Sequence, residues 1–178
     1  MSVWSEFYKN RVGESYLAYA ASRYKPMIDL LVSEGSSFLE VGCGIGTISK
    51  ALMRQRPDIS VQLLDNDPDI LNLASKNMAG LSCELFHSDI LRCQDSAEVI
   101  FSHGVLEHFT DREINRILDQ QRVSSNIVVH YIPTDGYSKP SFGDERLLPY
   151  RYWLVNFSPS DYILFNDNKD LLLIWKGV

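Results

Sequence analysis

The sequence predicts an α/β protein built on a doubly wound, seven-stranded, mainly parallel sheet that ends in a C-terminal antiparallel hairpin. Three observations predict it. Short apolar runs of strand type alternate with segments of helical period between residues 38 and 132. The first strand-to-helix junction, Phe38 to Thr47 (FLEVGCGIGT), turns through Gly42, Gly44 and Gly46. The last two apolar runs, Tyr162 to Phe165 and Leu171 to Trp175, are joined only by Asn166 to Asp170, a polar link of hairpin length. Parallel neighbours need a long crossover and antiparallel ones only a turn, so the spacing of the runs fixes the class.

Residues 1–25 mix polar and aromatic side chains, with Trp4, Phe7, Tyr8, Tyr16, Tyr19 and Tyr24 among them. Leu17, Ala20, Ala21 and Tyr24 fall at helical spacing, which predicts a helix from near Glu14. This segment is expected to be a packing arm over the sheet or a lid over a site, and the two readings are compatible. Pro26 suits a first helical turn, Met27 to Glu34 continue an apolar helix, and Gly35 ends it.

The first strand follows. Behind the glycine turn, Ile48, Ala51 and Leu52 keep the i, i+3, i+4 pattern until Pro57. Val61 to Asp65 is the second strand. Asp67 is placed as N-cap and Pro68 as first residue of the next helix, with Ile70, Leu71, Ala74 and Met78 inward and Gly80 at its exit. Cys83 to Phe86 and Ala97 to Ser102 are the third and fourth strands. Thr110 and Glu113 have capping-box spacing ahead of Ile114, Ile117 and Leu118. Asn126 to Ile132 is the fifth strand, 133–147 a loop, and Leu148 to Phe157 a short helix with Trp153 inward.

A chain of 178 residues with 45% apolar and 11% aromatic side chains suits one globular domain, 1–178. A net charge of −6 without any basic run speaks against a nucleic-acid partner. Three cysteines, none in C-x-x-C spacing, offer no zinc or disulfide signal, and no metal site is expected. No leader pattern or membrane-length apolar run is present, so the expectation is a soluble cytoplasmic protein. Oligomeric state is not legible.

The stretch from Glu40 to Gly46, an acid followed after one residue by G-x-G-x-G behind a strand, resembles the first motif of the class I S-adenosylmethionine-dependent methyltransferases. The likeness spans roughly residues 25 to 178. It implies the seven-stranded sheet with its terminal hairpin, and S-adenosyl-L-methionine as cofactor. By that likeness Gly42, Cys43, Gly44 and Gly46 present backbone to the methionine portion, and Glu40 helps to orient it. Cys43 is expected to be a small space-filler. Asp65, nineteen positions after Gly46, is expected to accept from both hydroxyls of a ribose, since its turn already has Asp67 as cap. Asn66 departs from the family, where an apolar residue often packs on adenine. Asp89 matches the acid that accepts from the adenine amino group, with Ile90 as apolar neighbour; a plain loop acid is the other reading.

Ser102 to His108 (SHGVLEH) resembles the S-x-x-V-L-E-H segment of small-molecule methyltransferases, and N-P-P-[YF] is absent. Ser102 and His103 are therefore expected at the cofactor. His103 is a candidate general base or a cavity wall, His108 is read as structural, and His130 is a second base candidate facing the same cleft. Phe142, Arg146, Tyr150 and Trp153 are expected near the acceptor, Arg146 suiting an acidic one.

The expected activity is methyl transfer to a small-molecule acceptor. Two alternatives stand beside it: a cofactor-binding module or partner subunit without catalysis, and a nicotinamide dehydrogenase. Ser49 in place of a third glycine counts against the dehydrogenase.

Overall fold

The structure is a computed structural model that describes residues 3–140 and 144–177. Its strands are β1 (Ser37–Val41), β2 (Ser60–Asp65), β3 (Glu84–His87), β4 (Val99–His103), β5 (Ile127–Pro133), β6 (Asp161–Phe165) and β7 (Asp170–Lys176). They form one sheet in the order β3-β2-β1-β4-β5-β7-β6. The first five run parallel; β7 is antiparallel to β5, and β6 to β7. The order reverses beside β1, so the carboxyl ends of β1 and β4 part there and leave a crevice.

Seven α-helices, α1 (Val3–Tyr8), α2 (Glu14–Arg23), α3 (Lys25–Ser33), α4 (Thr47–Gln55), α5 (Pro68–Asn77), α6 (Asp111–Ser124) and α7 (Tyr150–Phe157), and two 3₁₀ turns, Ile90–Arg92 and Leu106–His108, complete the described elements. Their ends follow local chemistry. Asp67 caps α5, its side chain accepting from the Asp69 and Ile70 amides, and Pro68 opens the helix. Thr110 and Glu113 complete the capping box of α6. Gly46, at φ 70, turns β1 into α4. The one helix the pattern did not foretell is α1, six residues without apolar periodicity that lie against α5.

Alternation along the strands fills two cores. Phe38, Leu63, Phe101, Val129 and Tyr131 face α2, α3 and α4, among Met27, Leu31 and Leu52. Leu39, Leu64, Ile100, Val128 and Ile132 face α6 and α7, among Ile114, Leu118 and Trp153. Both faces of a parallel sheet are thus covered, which is why its strands read as continuous apolar runs. Among the described residues, no helix is long and apolar enough to cross a membrane, and no cluster of three metal-ligating side chains occurs.

Candidate active site

The glycine turn is held open by conformation and crowding together. Gly42 and Gly44 have φ of 62 and 54, the left-handed region. A Cβ on Gly42 would stand 2.7 Å from Val105 Cγ2, and one on Gly44 3.3 Å from the Tyr8 ring. Beneath the turn Glu40 is 2% exposed and accepts from Ser49, Oγ at 2.6 Å and the amide at 3.3 Å. Burial pushes its carboxyl up to about 8, against the opposing pull of the Ser49 hydrogen bonds. Cys43 is buried and its thiol is pushed up by burial, consistent with packing and not with reactivity.

Beside the turn opens a cavity of about 480 Å³. Gly42 and Gly44 form one wall; Asp65 and Asn66 at the end of β2 form another, with Leu64 and Ile70 behind them. Ser88 and Ile90 close the β3 side, His103, Gly104, Val105, His108 and Phe109 the β4 side, and Trp4 and Tyr8 of α1 complete the lining. Asp65 sits at the centre of this arrangement. Its Oδ2 accepts from the Gly44 amide and its Oδ1 from the Asp67 amide, each at 3.0 Å. Burial raises its carboxyl, and those two N–H groups draw it back. Asn66 lies at the rim, its carbonyl 3.1 Å from His87 Nε2.

A much smaller hollow, about 20 Å³, lies on the other side of Tyr8, among Tyr16, Tyr24, Glu40, Thr47 and His103. Two buried polar atoms beside it, Thr47 Oγ1 and His103 Nε2, have no hydrogen-bond partner. His103 is clamped between rings: Tyr131 stacks on it at 4.5 Å and Tyr24 meets it edge-on at 4.0 Å. Burial depresses this imidazole to about 4.

Several expected residues are placed elsewhere. His130 does not face the cleft. Strand alternation turns it, with Val128 and Ile132, toward α6, where it is fully buried. Its Nδ1 lies 2.7 Å from Ser102 Oγ and its Nε2 2.8 Å from Gln121 Oε1, so both nitrogens are engaged and burial holds it neutral, its pKa lowered to about 3. Ser102 shares that sealed position. Asp89 is not in the cavity lining: its Oδ1 accepts from the Leu91 amide and caps the turn Ile90–Arg92, while its neighbours Ser88 and Ile90 line the wall. Arg146 is turned away too, bonded to Asp111 at 2.6 Å and to the Phe109 carbonyl. Trp153 is fully buried in the core and Tyr150 pairs with Tyr162. Phe142 lies outside the described residues.

Sequence reasoning missed three participants. Trp4 and Tyr8 carried no signal beyond being aromatic. His108, read as structural, lines the cavity, with its Nδ1 2.7 Å from Asp144 Oδ1. The signal in each case is a contact between distant segments.

The sheet order and the glycine turn after its first strand define the class: a Rossmann-like α/β domain in the methyltransferase arrangement. The methyltransferase-domain family matches residues 38–123. The trans-aconitate 2-methyltransferase of Klebsiella pneumoniae is 27% identical over 150 residues, covering 76% of this chain and 58% of the relative. That of Mycobacterium sp. (strain KMS) is 28% identical over 98 residues, covering 53% and 38%. Among solved structures, the PH0226 protein of Pyrococcus horikoshii superposes with a TM-score of 0.78 at 14% identity, over 97% of this chain and 99% of that one. Human N-acetylserotonin methyltransferase, in complex with S-adenosylmethionine, gives 0.74 at 12% identity, over 98% and 56%. The family match, these relatives and the fold together support the class I S-adenosylmethionine-dependent methyltransferase superfamily. The chain matches 58% or less of the length of these curated relatives.

Proposed function

We propose that the protein transfers a methyl group from S-adenosylmethionine to a small, uncharged acceptor. The observation that carries this reading is the cavity at the ends of β1, β2 and β4, which sets Asp65 opposite a turn without side chains. The lining fits the adenosyl portion. Each Asp65 oxygen accepts one backbone N–H and keeps a lone pair for a ribose hydroxyl. Leu64, Ile70, Ile90 and Val105 supply apolar walls for a purine, and Ser88 and Ile90, in place of Asp89, border its edge. The two partnerless buried atoms, Thr47 Oγ1 and His103 Nε2, suit the polar methionyl end beside Gly42 and Gly44.

When bound, the cofactor supplies a methyl group already activated by a sulfonium charge. The chain's own residues align and exclude water. Trp4 and Tyr8 line the cavity, which supports reading the N-terminal arm as its lid. His103 is a wall: an imidazole with a pKa near 4 is neutral at pH 7 but a weak proton acceptor there. The relatives are named for trans-aconitate, a tricarboxylate. No lysine or arginine stands among the described residues lining this cavity, whose charged groups are Asp65 and Asp67. A polyanion would enter it uncompensated, which favours an uncharged acceptor.

Calorimetry with S-adenosylhomocysteine tests the cofactor reading. Wild type binds, and Asp65→Ala weakens binding at least tenfold; unchanged affinity refutes the role. A mass-spectrometric screen with S-adenosylmethionine and phenols, alcohols, amines and carboxylates, trans-aconitate included, tests transfer.

A further inference from the structure

Two histidines line the cavity, and their surroundings give them different work. His103 is gripped face and edge by Tyr131 and Tyr24, with no carboxylate on either nitrogen. His108 is held by Asp144, whose Oδ1 lies 2.7 Å from its Nδ1. That hydrogen bond keeps the Asp144 carboxyl below its ordinary range, so it is ionised at neutral pH and can only accept. A His108 ring with a single hydrogen then carries it on Nδ1, facing that carboxylate, which leaves Nε2 as a lone pair. Nε2 is buried without any partner, and the Trp4 ring packs against the imidazole at 5.6 Å. An orienting carboxylate and an unengaged ring nitrogen, on a residue that lines the cavity, are the parts of a proton acceptor.

We propose that His108, aimed by Asp144, takes the proton of a hydroxyl-bearing acceptor; this rests on the transferase reading above. An uncharged phenol or alcohol holds its proton at neutral pH and needs such a group, whereas a carboxylate does not. The O–H proton passes to Nε2, the freed oxygen pair forms the new C–O bond, and the pair of the breaking C–S bond stays on sulfur. The imidazolium so formed lies against the Asp144 carboxylate, which stabilises it. His108 is the catalytic residue and Asp144 a positioning residue.

Imidazole ¹⁵N spectra of the S-adenosylhomocysteine complex at pH 7.5 read the tautomer without any acceptor. His108 is expected to show protonated Nδ1 and bare Nε2, and Asp144→Ala to move the proton toward Nε2. A wild-type ring protonated at Nε2, or one unmoved by Asp144→Ala, overturns the proposal. With any hydroxyl acceptor the screen returns, His108→Asn lowers kcat about 100-fold while S-adenosylhomocysteine affinity stays within twofold. Full turnover in that variant, or a screen returning only carboxylates such as trans-aconitate, also overturns it. Wild type that fails to bind S-adenosylhomocysteine, or transfers to nothing, instead overturns the transferase reading, and the base with it.

Discussion

Glu40 lies inside β1 at 2% exposure, with Ser49 as its hydrogen-bond donor and a carboxyl pushed up to about 8 by burial. Below pH 4.5 it is protonated in both folded and unfolded chains and costs nothing. Between pH 4.5 and 8 the unfolded chain gives up this proton while the folded one keeps it, so stability falls as pH rises. The loss amounts to roughly 3 kcal/mol at pH 7. Glu40→Gln should therefore gain on wild type between pH 5 and pH 7.5 in urea unfolding; a constant difference refutes the shift. His103 and His130 act in the opposite sense. Held neutral at about 4 and about 3, they lose stability for the fold as pH drops below the ordinary histidine value of 6.5. Asp65 and the glycines were legible because a strand end and a turn are local. His108 was not: its meaning depends on Asp144, brought to it from a different loop.

The secondary elements divide by what specifies them. Helix α6 is written into its own sequence, with Thr110 and Glu113 exchanging hydrogen bonds and Ile114, Ile117 and Leu118 facing inward. Thr110→Ala should cost about 1 kcal/mol, measured by urea unfolding; a loss below a few tenths would mean that packing alone sets the helix start. Helix α1 is the contrary case. Six residues cannot sustain a helix in water, so it forms by docking against α5 and over the glycine turn. No local pattern encodes such a helix. That is why its aromatic residues were readable as an arm or a lid but not as a cavity wall.

Across the whole molecule, one buried carboxyl ties the parts together. Asp170, fully buried at the start of β7, accepts from Tyr131 at 2.7 Å, Tyr137 at 2.6 Å and Arg23 at 3.0 Å, and from Asn166. These partners come from β5, the loop after it, α2 and the hairpin link. Tyr131 is also the ring that stacks on His103, so the knot reaches the cavity wall. Asp170→Ala should destabilise the fold by roughly 3–5 kcal/mol, because it leaves Arg23 and two hydroxyls without their acceptor. A loss below about 1 kcal/mol in thermal unfolding would show the knot to be dispensable.

By itself the sequence determined the class of fold, the strand order's parallel and antiparallel parts, and the glycine turn with Asp65 after it. Each is a matter of period, turn chemistry or spacing along a single stretch. Only the tertiary structure decided which histidines meet the cavity. One residue of register sends His130 into the α6 core, and a loop contact brings Asp144 to His108. It also decided that Arg146 is bonded to Asp111 and that Trp4 and Tyr8 line the cavity. Such facts belong to pairs of distant segments, and periodicity within one segment carries no record of its partner.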